Sequence, residues 1–168
     1  MSGYRFERLK VLAVDDNAHM RKLVVTILEA FGVHETVEAE NGDRAWTSLR
    51  ENNPDVILLD WMMPGMSGLD LARMIRTNPL APNPFVPLIM LTGYTSIDHV
   101  RQARDAGVNE FIAKPVAAKT VMSRLVSVIE HPRPFVRTSV YFGPCRRRRA
   151  NDEYRGPERR TETEQVVE

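Results

Sequence analysis

Five short runs rich in apolar residues punctuate the first 130 residues, at Val11–Val14, Thr36–Ala39, Val56–Leu59, Leu88–Leu91 and Glu110–Ala113. The first, third and fourth are nearly continuous in apolar residues, the pattern of strands buried on both faces. Between the runs the period changes. Met20, Leu23, Val24, Ile27, Leu28 and Phe31 fall at helical spacing and make one apolar stripe. Gly32 is the expected C-cap of that helix. Val121, Leu125, Val128 and Ile129 mark a second stripe. Weaker helical patterns cover Asp43–Arg50, Leu69–Arg76 and Ile97–Ala106, the last stopped by Gly107. Strands alternating with helices predict an α/β fold, a (βα)5 doubly wound parallel sheet covered on both faces by helices. Right-handed crossovers narrow the topology. Ligands of such sheets sit beyond the carboxyl ends of the strands, where strand order reverses.

The residues that follow the runs therefore carry the candidate chemistry. Asp15 and Asp16 follow the first, Asp60 the third, Thr92 the fourth, and Lys114 with Pro115 the fifth. In the strand order 2-1-3-4-5 they share one edge of the sheet. Taken singly, each has a plainer reading. Asp15 or Asp16 could N-cap the helix that starts near Ala18, Thr92 could be a turn residue, and Lys114 a solvated surface lysine. Asp60 resists this, because it closes the buried run Val56-Ile57-Leu58-Leu59 and a lone carboxylate there needs a partner.

Together these residue types suit phosphoryl transfer. Crowded carboxylates repel one another and favour a divalent cation, and Mg²⁺ binds through few carboxylates plus water and phosphate oxygens. One carboxylate can act as nucleophile and form an aspartyl phosphate. The rest of the task is positioning and charge neutralisation. Lys114 can neutralise one phosphate oxygen, and the Thr92 hydroxyl can hydrogen-bond another.

Composition and charge sharpen the boundaries. The chain has 168 residues, 43% of them hydrophobic, enough for one domain with an appendage. No stretch approaches the roughly 18 apolar residues of a membrane span. The polar start, Met1 to Lys10, lacks a secretory pattern, and a lone Cys145 cannot form an internal disulfide. These features predict a cytoplasmic protein. Residues 1–130 hold 14 Lys+Arg against 16 Asp+Glu, whereas residues 131–168 hold 9 against 6. The change falls at His131-Pro132-Arg133-Pro134, which is the expected domain boundary because the prolines stop a helix.

The pattern resembles the receiver domain of two-component response regulators over about residues 8–130. The likeness rests on Val11-Leu12-Ala13-Val14-Asp15-Asp16, on Leu58 to Gly68 (Leu-Leu-Asp-Trp-Met-Met-Pro-Gly-Met-Ser-Gly), on Leu91-Thr92-Gly93 and on Phe111-Ile112-Ala113-Lys114-Pro115. The resemblance implies that Asp60 accepts a phosphoryl group from a sensor histidine kinase or phosphotransfer protein. It implies that Asp15, Asp16, Asp60 and the backbone carbonyl of Met62 hold Mg²⁺, and that Thr92 and Lys114 grip the phosphoryl group. It makes Lys114-Pro115 a cis peptide and Thr92 with Phe111 the switch pair, although an aromatic in a short strand is more simply a core residue. Met62 and Tyr94 lie where the family tunes the lifetime of the phosphate. The output surface is then expected over about residues 95–128.

The tail, residues 131–168, has no helical periodicity, no helix-turn-helix and no catalytic motif. It carries Phe135, Val136, Val140, Tyr141, Phe142 and Tyr154, too many large apolar groups for a solvating segment. Tyr141 to Arg147 and Tyr154 to Arg160 both read Tyr-x-Gly-Pro-x-Arg-Arg. Three readings stand: an arm over residues 132–145 that packs on a second copy as a homodimer, packing on its own domain, or binding of a charged partner by Arg146–Arg149. Nearby Asp152, Glu153 and Glu158 weaken a nucleic-acid footprint. A Mg²⁺-dependent small-molecule phosphatase and a phosphorylation-independent interaction domain are the competing functions. The first wants a second carboxylate just after the nucleophile, where Trp61 and Met62 stand. The second leaves a complete site unused.

Overall fold

The computed structural model of the chain describes residues 6–146 and 165–167. The runs form strands and the periodic stretches form helices. In order they are β1 (Lys10–Val14), α1 (Ala18–Ala30), β2 (Glu35–Ala39), α2 (Gly42–Asn52), β3 (Val56–Asp60), α3 (Gly68–Thr77), β4 (Leu88–Thr92), α4 (Ile97–Asp105), β5 (Glu110–Ala113) and α5 (Ala118–Glu130). The five strands make one parallel sheet, as their alternation with helices predicts, and its order is the expected β2-β1-β3-β4-β5.

Alternation along the strands divides the core in two. Leu12, Val14, Ile57, Leu59, Leu88 and Met90 face one side and pack with Ala45 and Leu49 of α2, Leu71 and Ile75 of α3 and Ala103 of α4. Val11, Ala13, Val56, Leu58, Ile89 and Leu91 face the other and meet Val24 and Leu28 of α1 and Val121 and Leu125 of α5. Burial of each large side chain contributes about 1.5–3 kcal/mol. Among the described residues, no helix is long and apolar enough to cross a membrane.

Local chemistry sets the helix ends. Asn17, Asn41, Ser67 and Ser96 N-cap the first four helices, each side chain accepting a backbone N–H. Asn17 thus takes the capping role that the sequence left open to Asp15 or Asp16. α1 closes on Phe31, and Gly32 follows in the left-handed region at φ +86°, one place beyond the cap expected for it. Asp60 and Thr92 are the last residues of β3 and β4 rather than the first beyond them.

α5 ends where the prolines were expected to stop it, but the packing continues. β6 (Phe135–Arg137) and β7 (Phe142–Pro144) pair antiparallel, and β8 (Gln165–Val167) adds to the other edge of β6. Phe135 and Phe142 close on Phe85, with ring centroids 5.1 and 5.3 Å away. The hairpin covers Arg76, whose guanidinium lies 4.9 Å from the Phe135 ring. Arg76 donates to the carbonyls of Gly107, Pro84 and Val86 and to Asn109 Oδ1. Burial pulls this guanidinium down to about 9, yet four acceptors and an aromatic face keep it charged at neutral pH. Arg133 ties the start of the hairpin to the sheet by donating to the carbonyls of Cys145 and Asn109. Tyr141 donates its hydroxyl to the Pro144 carbonyl and lies under the Arg146 guanidinium, which also reaches Asp105 at 3.5 Å. In the first copy of the repeat, Tyr, Pro and the first Arg therefore bind one another and the domain. The second copy lies outside the described residues.

Candidate functional site

Strand register builds the site. Val14 pairs with Leu59, so Asp15 and Asp60 come level one step later. Thr92 pairs with Ala113, so Lys114 follows directly beside it. Carboxylate oxygens of Asp15, Asp16 and Asp60 lie within 4.8 Å of one another. Asp15 and Asp60 are buried and Asp16 is exposed. Lys114 Nζ donates to Asp60 Oδ1 at 2.7 Å and lies 3.6 Å from Asp15 Oδ2. The Lys114-Pro115 peptide is cis.

Asp15 is held from both ends. Its Oδ1 accepts the Asn17 N–H, and its carbonyl accepts from Arg21. Its Oδ2 is buried and takes no hydrogen bond among the described residues, with the Lys114 ammonium 3.6 Å away. A buried carboxylate oxygen without a hydrogen bond, facing two more carboxylates, belongs to the donor set of a cation site with hard oxygen ligands.

The electrostatics agree with the crowding. Burial raises the Asp60 pKa, the Lys114 hydrogen bond opposes this, and the charges of Asp15 and Asp16 add to the rise. For Lys114 burial works against the charged form, but the hydrogen bond to Asp60 and the charges of Asp60 and Asp15 outweigh it, and the ammonium is raised.

The α3 end of the site depends on one glycine. Gly68 donates its N–H to the Trp61 carbonyl, and a Cβ at this position would lie 2.1 Å from the Asp60 carbonyl oxygen. Only glycine lets α3 start against the end of β3.

The remaining candidates are placed as follows. The Thr92 hydroxyl is buried and bonds Tyr94, accepting its N–H at 2.8 Å and donating to its carbonyl at 3.3 Å. Met62 and Tyr94 are exposed. Phe111 is half-buried and packs against the α3-side core while lining a 290 Å³ groove with Val100, Ala103 and Arg104. A group that the strand pattern does not mark also stands here: Trp61 and His99, both in ring contact with Tyr94.

Comparison with known proteins gives a consistent relationship. The response regulator receiver domain family matches residues 11–126. The phosphate regulon transcriptional regulatory protein PhoB of Pseudomonas aeruginosa is 37% identical over 124 residues, covering 74% of this chain and 53% of that protein. The chain thus spans about half the length of PhoB. The chemotaxis protein CheY of the same species is 34% identical over 122 residues, covering 73% of this chain and 97% of CheY. The solved structure of Vibrio cholerae CheY4 aligns with a TM-score of 0.66 at 30% identity, over 72% of this chain and 98% of that one. A putative response regulator from Chloroflexus aurantiacus aligns with a TM-score of 0.67 at 27% identity, over 73% and 98%.

Proposed function

From the premise that this chain belongs to the response regulator receiver domain family, we propose that it accepts a phosphoryl group on Asp60 from a sensor histidine kinase or a phosphotransfer protein. The observation that carries this reading is the convergence of three carboxylates within 4.8 Å, one of them bonded to Lys114 at 2.7 Å. A carboxylate oxygen of Asp60 attacks phosphorus, the P–N bond to the donor histidine breaks as the P–O bond forms, and the imidazole leaves with the electron pair and takes up a proton. Lys114 stays as the cation beside the transferred group. The Thr92 hydroxyl leaves Tyr94 and donates to a phosphoryl oxygen. Asp15, Asp16, Asp60 and the Met62 carbonyl are the residues that would hold Mg²⁺, which when bound neutralises charge developing on the phosphoryl oxygens. Hydrolysis restores the Asp60 carboxylate and releases phosphate.

The chain acts on no substrate beyond its own phosphorylation and dephosphorylation, and it signals by protein contact in the cytoplasm. The phosphate biases two preexisting states through Thr92 and Phe111, because only contacts that differ between states shift a population. Met62 and Tyr94 shield the phosphate from water. The intramolecular packing of Phe135 and Phe142 on Phe85 favours self-packing of residues 132–145 over a homodimer made by their exchange. Solution mass of the full chain and of a chain truncated at 131 separates the two: equal association states support self-packing, and a dimer lost on truncation supports exchange.

Incubation with acetyl phosphate and Mg²⁺, with Asp60→Asn as control, tests the central reading. An acyl phosphate on the native protein and none on the variant supports it. An unlabelled native protein sinks it.

A further inference from the structure

The Thr92 hydroxyl is held by the loop that the phosphate must draw it from, and a ring stack holds that loop. His99, in the first turn of α4, lies against Tyr94 with centroids 4.8 Å apart and planes 16° from parallel. It also meets the Trp61 ring, 5.4 Å away and tilted by 70°. Trp61 is the residue after Asp60 and is buried, with its N–H donated to the Leu91 carbonyl. The Ser96 hydroxyl sets the imidazole from the other side, 2.6 Å from Nδ1. One side chain thus joins the start of α4, the backbone beside the phosphoacceptor and the loop that occupies Thr92.

We infer that His99 is a positioning residue for phosphoryl transfer: its ring pins Tyr94, and the pinned Tyr94 backbone keeps the Thr92 hydroxyl committed to the β4–α4 loop. Thr92 donates to a phosphoryl oxygen only by giving up the bond it donates to the Tyr94 carbonyl, and the N–H it accepts from Tyr94 resists the turn. The cost of that movement includes whatever holds Tyr94 still. Tyr94 is 44% exposed, so its hold comes from ring contacts, the close His99 stack at 4.8 Å and the more distant Trp61 edge at 6.5 Å. His99 touches no reacting atom and acts through Tyr94, with the Trp61 contact anchoring its ring. This inference rests on Asp60 as phosphoacceptor and adds a residue that sets the rate of its phosphorylation.

The test measures the initial rate of acyl phosphate formation on the full chain with acetyl phosphate and Mg²⁺. His99→Ala removes the ring and should phosphorylate about two- to tenfold faster, the range into which an aromatic pair's contribution converts. His99→Phe keeps a planar ring on Tyr94 and should stay near the native rate. Tyr94→Ala should be fast by itself, and adding His99→Ala to it should change nothing more. Melting temperatures taken in parallel separate a positioning effect from general loosening, which would slow labelling in His99→Ala. A native or slower rate in His99→Ala, or a His99→Phe rate equal to that of His99→Ala, overturns the positioning role and leaves Asp60 untouched. No acyl phosphate in any variant overturns both readings.

Discussion

At neutral pH the Asp60 carboxylate sits where burial and two neighbouring carboxylates work against its charge, with Lys114 as the opposing cation. Its folded-state pKa lies above the ordinary 3.8. The stability that protonated Asp60 lends is therefore full below about pH 4 and is lost as pH rises through the raised value. Asp60→Asn, which keeps the shape and removes the charge, should melt higher than the native protein at pH 7. Each kcal/mol of gain moves Tm by about 2–4 °C in a chain of this size. Melting curves across pH check the sign: the gap between the two proteins should close as pH falls toward about 4. Reactivity and stability thus pull apart at this residue, as a site built to receive charge implies. Gly68 shows the opposite economy. It carries no chemistry, but Gly68→Ala pushes a methyl into the Asp60 backbone. It should lower both Tm and the labelling rate at Asp60, read by melting and by acetyl phosphate incubation.

Among the elements, the β6–β7 hairpin and α4 have effects that their length does not suggest. The hairpin lies toward the amino ends of β4 and β5, beside Phe85 and Asn109, while Asp60 and Thr92 stand at carboxyl ends, about 13 Å along a five-residue strand. Phe135 fills the space between Phe85, Phe142 and Arg76. Phe135→Ala should cost about 3–5 kcal/mol, a fall in Tm on the order of 10 °C, with the Asp60 labelling rate below the melting point unchanged. A labelling rate that falls with it would mean that the hairpin supports the site as well as the fold. α4 is tied at both ends by side-chain contacts. His99 holds its start to Trp61 and Tyr94, and Asp105 at its end meets Arg146 from beyond the hairpin.

For the whole molecule, the sheet carries both ends on a core whose central strands β1, β3 and β4 are buried on both faces. A cation bound only by the folded state stabilises it by mass action, about 2.7 kcal/mol at a hundredfold excess over Kd. Mg²⁺ should therefore raise Tm in proportion to the logarithm of its concentration. Asp15→Asn should lose most of that rise, which a titration followed by thermal melting reads directly. A native Tm indifferent to Mg²⁺ would remove the cation from the reading and leave Asp60 and Lys114 to be explained without it.

The order of strands and helices was legible in period alone, because a strand buried on both faces must be apolar throughout and an amphipathic helix must repeat every three to four residues. Asp15, Asp16, Asp60, Thr92 and Lys114 were legible for the same reason: polar residues that break apolar runs at matching places share an edge once the strands are parallel. Non-local contacts carry no such period. Phe85 gives no local sign that it waits for Phe135 and Phe142, some fifty residues on, so the tail's place in the domain emerged only from three rings closing together. Arg76 reads as an ordinary last-turn cation of α3 until the hairpin covers it. The Thr92 hydroxyl turns to Tyr94, and His99 stacks on that ring, because side-chain direction depends on neighbours that the chain meets only after folding.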